Sequence, residues 1–413
     1  MVNSQAINNS VPFVDSAENR KMNFLEYFVI LFFAAYYLLP AVSARVTYMI
    51  PLFLGIGYLA ILFLYEPKWR TTIVVFLFLV TMISFLFFFL TETSTISASV
   101  SNYTLKRITS KMYQYFMMFF PAYMFARVYT TASYKQRRFL FAVIFLMFAI
   151  VIVNTFIELM TNDTASRDWT EFENQKENNV GTYDFVYAVP MVVTALTSLL
   201  YSMKSFGKRL LVVLIIGFMF LFLLSAQYTL ALLISIIGVA LQVSTNIKNL
   251  AVKLLLWLVF IGGLFLLPTV LDYLANAVES EQMAVRLKEL ASFFGSGDAS
   301  GYNLNGRLEL YGRTIKAFFK SPIIGNKKLG FDGHATLLTV PADIGILGLI
   351  GLVVLFRNAK KYVSMAMGEQ AKKFVPTFIC LLIMGFTNPI HAATTALYGT
   401  WMMAPIIVMG RGE

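Results

Sequence analysis

The chain has 413 residues, of which 58% are hydrophobic and only 13% charged; a soluble domain carries roughly a quarter charged residues, which excludes a water-soluble globular fold. The net charge of +11 is concentrated in short segments between apolar runs and reads as membrane topology, not as a nucleic-acid footprint. One cysteine, Cys380, and two histidines leave neither an intrachain disulfide nor a Cys/His metal cluster.

Residues 1–21 are polar and read as a cytoplasmic tail. The run that follows ends near "AVSA", residues 41–44, which resembles a signal cleavage site; its apolar stretch is too long for a usual signal peptide, so it reads as a retained helix. Runs long enough to cross ~30 Å of hydrocarbon recur from there onward. Each is expected to be helical, because only internal bonding satisfies the backbone in lipid. Spans are predicted near 22–40, 47–65, 71–90, 112–130, 139–159, 182–203, 210–225, 228–245 and 252–268. Three more follow near 338–356, 374–389 and 393–409. The expected fold is therefore all-α and polytopic, with about twelve transmembrane helices. Nine fill residues 22–268, and three fill residues 338–413 ahead of a short cytoplasmic C-terminus. The division between the seventh and eighth rests on "SAQYT", residues 225–229, alone.

Basic residues set the orientation. Eighteen lysines and arginines fall on one side, including Lys68, Arg138, Lys204, Lys253, Arg357 and Lys373. Six, Arg45, Lys106, Arg107, Lys111, Arg167 and Lys176, fall on the other. The first side is read as cytoplasmic, with both termini there, which puts a smaller loop at 160–181 and a much longer one at 269–337 outside. A loop of that length is usually functional or disordered. Its helical patterning and aromatics favour a folded external subdomain.

Within "NLNGRLELYGRTIKAFFKSPIIG", residues 303–325, Leu308, Tyr311, Ile315, Phe318 and Phe319 recur at helical spacing as one apolar stripe. Asn305 is the expected N-cap, Gly306 the first helical residue, and Pro322 the stop. Glu309, Arg313, Lys316 and Lys320 share the opposite face, a solvated or headgroup-facing surface. Arg307 is set apart, at the edge of the stripe and within the first turn, where a cation opposes the helix dipole. A phosphate held by Arg307 and the helix N-terminus would resolve that conflict; a carboxylate such as Asp298 would do so equally. Arg286, in "AVRLKEL", either faces the same place or pairs with Glu281 or Glu289.

His334 opens "HATLLTVPADIGILGLIGLVVLF", which enters the membrane. It reads either as a polar boundary residue or as a general base, the task that imidazole does most often. Asp343, nine residues on, projects from the other side of an ideal helix and is a poor direct orienter for it. An acid at that depth is costly, and so is functional or paired. Gly345, Gly348 and Gly351 allow a neighbouring helix to approach closely. His391, in "TNPIHAAT", reads only as a turn residue.

Taken together, Arg307, Tyr311, Pro322 with Gly325, His334, Gly345 and Gly348 form an ordered set that resembles the bacterial O-antigen polymerase and O-antigen ligase superfamily. Arg286 with Leu290 is similar to the R-x-x-x-L element of the ligases. The set covers about 65 residues, and the span pattern most of the chain. Three departures stand beside it. Ala335 and Thr336 follow the histidine where Asn or Ser is common. "ENNVGTYDF" lacks the arginine usual before a glycine, leaving Arg167, fourteen residues before Gly181, as its substitute. "SAQYT" replaces a frequent Ser-Arg-Gly.

The resemblance implies the all-helical architecture of membrane glycosyltransferases that use lipid-linked sugars (GT-C-like), with the active site in the outward loop. It implies transfer of a glycan from a lipid (undecaprenyl) pyrophosphate to a sugar hydroxyl, in the cytoplasmic membrane of a bacterium and on its outer face. His334 would be the base, and Arg307 and Arg286 would stabilise the departing pyrophosphate. Arg313 and Arg167 would add substrate contacts, and Tyr311 would either stack on sugar or pack in the stripe. No cofactor and no metal are implied; arginines do a metal's work, and no Asp-x-Asp is present. Implied partners are the lipid-linked donor and acceptor, membrane lipid, and a chain-length regulator or other envelope-assembly proteins. Polymerase is preferred over ligase on the Phe- and Lys-rich composition and modest length. A flippase or precursor transporter is the rival from another class. It would carry charges and broken helices at mid-membrane, whereas here the polar candidates gather in the outward loop.

Overall fold

A computed structural model describes residues 24–92, 101–162, 165–166, 177–278, 281–296, 302–326, 335–388, 390 and 397–405. The described residues are helical, with no strand among them. In chain order the helices are α1 (Phe24–Leu38), α2 (Pro40–Arg45), α3 (Met49–Tyr65), α4 (Arg70–Glu92), α5 (Ser101–Thr131) and α6 (Tyr134–Thr161). Then come α7 (Tyr183–Val186), α8 (Val189–Leu200), α9 (Phe206–Ser225), α10 (Thr229–Asn246) and α11 (Leu250–Ala277). The outward-loop region gives α12 (Glu281–Ser296) and α13 (Tyr302–Lys320); α14 (Thr336–Met367), α15 (Ala371–Thr387) and a π-turn at Gly399–Met403 complete the chain. Five helical stretches among the described residues are long and apolar enough to cross a membrane, and the bent α11 adds a sixth if taken as one span.

Local chemistry explains the boundaries. Ser133 and Gln136 form a reciprocal capping box at the start of α6. Asn249 accepts from Ala251 N at the start of α11. Arg70 donates to the Phe63 and Leu64 carbonyls that end α3. "SAQYT" does separate two helices: α9 ends at Ser225, Gln227 adopts φ 58°, and α10 starts at Thr229. The run 182–203 does contain one span-length stretch, Tyr183–Leu200, which a short break divides into α7 and α8; Pro190 lies near the start of α8, where its missing N–H leaves no gap. Helix α11 runs past its expected end to Ala277 and bends by 45° at Leu264. The ring of Pro268 falls on the carbonyl four residues before it, which is that of Leu264.

The core is centred on α8, buried along nearly its whole length between α9, α10 and α15. Its Thr194, Thr197 and Ser198 return their hydroxyls to their own helix. Trp401 is fully buried beside Phe356, Phe374 and Phe378 and donates Nε1–H to the Met118 carbonyl. Helices α11 and α12 stand to one side, sharing a small core of Leu271, Ala275, Leu287 and Ala291.

The bundle has two distinct ends. At one, Trp69 stacks on Tyr362, Tyr362 bonds to Thr72, and Lys373 Nζ donates to Ser202 Oγ. Arg127 lies largely covered at this end, joined to the buried Glu26 at 3.1 Å and Glu66 at 3.0 Å. It ties α1 and the end of α3 to α5. Removing the cation would leave two buried carboxylates, a loss of about 3–5 kcal/mol. Arg127→Met is therefore expected to lower the unfolding temperature in detergent sharply, and Glu66→Gln, which keeps one ion pair, to lower it less.

Candidate functional site

The opposite end is organised by two consecutive carbonyls at the end of α15. Tyr311, on α13, donates its hydroxyl to the Thr387 oxygen at 2.9 Å. The Thr336 amide, at the start of α14, donates to the Asn388 oxygen at 3.3 Å. The Asn388 side chain in turn accepts from the Tyr183 hydroxyl at 2.7 Å. Tyr183, Tyr187 and Tyr228 form one aromatic group there, and Tyr228 donates to the Ser166 carbonyl. Three separate segments thus converge on the end of α15, and Tyr228 joins the third through its ring contacts.

A second junction joins α13 to α14. Helix α14 is interrupted at Gly345, which adopts φ 67° and ψ −159°, a conformation essentially confined to glycine. The interruption withdraws backbone groups from the helical ladder, and the Pro322–Gly325 turn supplies partners for them. Ile346 N donates to the Pro322 oxygen at 2.7 Å, and Asn326 N donates to the Ala342 oxygen at 2.8 Å. Gly325, at φ 71°, lies directly on the Asp343 carbonyl, and Gly345 on that of Ile323. A Cβ at either glycine would strike backbone. The P-x-x-G turn and the glycine twenty residues later are therefore two halves of one clasp. Gly348 faces the side chain of Ile344, and Gly351 that of Ile83 on α4.

The sequence-predicted residues fall as follows. His334 and Arg167 lie outside the described residues, as does His391. Arg307 lies on α13 and Arg286 on α12. Helix α13 begins at Tyr302, not at an Asn305 cap. Arg307 is consequently its sixth residue, beyond the first turn, where the dipole conflict has largely faded. Arg307 shares a face with Tyr311 by helical spacing, and Arg286 adjoins the buried Leu287. Arg313 is exposed and pairs with Glu309 one turn back at 3.7 Å.

The expected apolar stripe is also redrawn. Leu308 lies outside the described side chains; among those described on α13, Thr314 and Ala317 are buried, Tyr311 and Phe318 half-buried, and Ile315 and Phe319 exposed. Helix α13 packs on α14, and the buried positions of its described part are held by small residues. Asp343 is buried, only 8% exposed. The charge of Lys111 acts on it, and it is coupled electrostatically to the Tyr115 hydroxyl, both on α5. Its partners thus come from a helix more than two hundred residues earlier. Among the described residues no three His, Cys, Asp or Glu side chains gather to hold a metal ion.

Asn388, Tyr183 and Lys111 are the site components that sequence patterning passed over. The only signal for Asn388 was an amide beside a proline in a short turn, which reads as turn chemistry. Comparison with protein-family models and with curated proteins finds no match to the chain.

Proposed function

We propose that this chain is a metal-independent membrane glycosyltransferase of about twelve spans and GT-C-like architecture. It polymerises lipid-pyrophosphate-linked oligosaccharide repeat units into a capsular or O-antigen polysaccharide on the outer face of the cytoplasmic membrane. One observation carries the reading beyond the motif itself. The segment bearing Arg307 is fastened through Tyr311 to the Thr387 carbonyl, and the segment bearing His334 through Thr336 to the next carbonyl, that of Asn388. Arg307 is four residues before Tyr311, and His334 two before Thr336. The described residues nearest to the candidate cation and the candidate base, Tyr311 and Thr336, thus meet adjacent carbonyls at one end of the bundle, which supports the reading.

In the reaction an acceptor hydroxyl attacks the anomeric carbon of the donor while the carbon–oxygen bond to the lipid pyrophosphate breaks. His334 takes the hydroxyl proton. The pyrophosphate leaves with the bonding pair, and Arg307 and Arg286 stabilise its growing charge, with Arg167 or Arg313 as further contacts. Basic residues at the Tyr362 end, such as Lys68 and Lys373, support a cytoplasmic assignment for that end and an outer-face assignment for Asn388.

The test is chain growth by purified protein given lipid-linked repeat units in detergent. Product without a sealed compartment excludes transport as its cause, and polymer on lipid rather than on another acceptor separates polymerase from ligase. Absence of any glycosyl transfer would overturn the reading. Arg313→Ala provides an internal contrast. Its guanidinium is exposed and already paired to Glu309, so at most it is a peripheral contact, and the variant is expected to lose much less chain growth than Arg307→Ala.

A further inference from the structure

The distal half of α13 exposes two adjacent stripes besides its buried one. Ile315 and Phe319 continue into Ile323 and Ile324 of the turn, with Phe319 73% and Ile323 69% exposed. Arg313, Lys316 and Lys320 run beside them, also exposed. We propose that this half of α13 and the Pro322–Gly325 turn form a re-entrant element. Its apolar stripe rests on the acyl chains of the leaflet at the Asn388 end, and its basic stripe is turned toward headgroups. This rests on α14 and α15 crossing a bilayer and not on glycosyl transfer.

The hydrogen-bond register fixes the depth. Thr336 and Tyr311 are level with the end of α15, through the Asn388 and Thr387 carbonyls. Gly345 is nine residues along α14, about 13 Å at 1.5 Å per residue. Lys320 is nine residues along α13 from Tyr311 and reaches the same level, where the turn clasps Gly345. Helix α15 has only fourteen residues from Phe374, just after Lys372 and Lys373, to Thr387. That is about 21 Å of helix against ~30 Å of hydrocarbon. Its Thr387 end therefore lies no farther out than the bilayer surface, and the turn lies well beneath it.

Two further observations agree. Ile346, whose amide is held by Pro322, starts a line of exposed apolar residues on α14, with Leu347, Ile350 and Val353. The apolar stripe of the turn is continuous with that line, so one lipid-facing surface covers both. Irregular backbone is tolerated at membrane depth only where its polar groups are bonded within protein. The Ile346–Pro322 and Asn326–Ala342 bonds meet that condition. Lys316 and Lys320 have stems long enough to carry their charges upward along the helix.

Single cysteines at Phe319, Ile323 and Lys316 place a fluorophore on each stripe of the full-length chain in lipid nanodiscs. These positions are exposed, so substitution leaves packing intact. Cys380 is fully buried, and the parent chain checks that it does not label. Nitroxide on lipid acyl chains is expected to quench Phe319→Cys and Ile323→Cys labels far more than aqueous iodide does, with the opposite order for Lys316→Cys. Iodide quenching at Phe319 and Ile323 would overturn the proposal. So would protection of those labels from both quenchers, which would mean a protein partner or second copy covers the stripe.

Discussion

His334→Ala is expected to abolish chain growth while leaving a folded, membrane-inserted protein. General base catalysis contributes typically 10²–10⁴-fold, so the loss should reach at least about a hundredfold. His334 lies one residue before Ala335, which is buried and accepts the amides of Leu338 and Thr339 to start α14. Those bonds involve backbone, so the side chain can be removed without unfastening the segment. Arg307→Ala is expected to cost about 10²–10³-fold, the usual price of one electrostatic stabiliser, with Arg307→Lys recovering part of it. The measurement is polymer length and rate with purified protein and lipid-linked repeat units, beside an unfolding curve for each variant. Wild-type-length chains from either alanine variant would sink the mechanism, and a matching drop in melting temperature would assign the residue to structure.

The difference between what patterning could and could not reach is physical. Long apolar runs report their own helicity, because lipid leaves the backbone no alternative. The Gln227 break is legible for a similar reason, since "SAQYT" is the one polar interruption in that run. Contacts between distant segments leave no such mark. Glu26, Glu66 and Arg127 form one buried cluster, yet each lies near a helix end and reads singly as a boundary charge. Asp343 read as misaligned with His334; its electrostatic partners lie instead on α5. On α13 the aromatic spacing was visible, but aromaticity did not decide the packed face. Among the described side chains Thr314 and Ala317 took it, which aromatic spacing alone does not report. Pro322, Gly325 and Gly345 stood out by their spacing; their joining into a clasp did not, because a glycine spacing carries no record of which carbonyl it approaches.

Gly345→Ala is expected to be strongly damaging for so small a substitution. At φ 67° and ψ −159° a side chain costs on the order of 1–3 kcal/mol in backbone strain alone. The added Cβ would also meet the Ile323 carbonyl and the Gly325 amide, both backbone and both held in place by the turn. Relieving the collision means releasing Pro322 and Asn326 from Ile346 and Ala342, which leaves polar backbone groups unbonded in an apolar setting. Together these amount to on the order of 4 kcal/mol. Gly348→Ala offers the contrast on the same helix. There the new methyl meets only side-chain atoms of the buried, β-branched Ile344 and no backbone, so a repacking cost of about 1–3 kcal/mol without backbone strain is expected. Melting curves in detergent distinguish the two, and Gly345→Ala should also lose chain growth on the proposed function, because the same clasp holds both ends of the segment that carries His334. Equal melting temperatures for the two variants would mean that the turn and α14 are not joined backbone to backbone, and that the glycines serve only as small residues between helices.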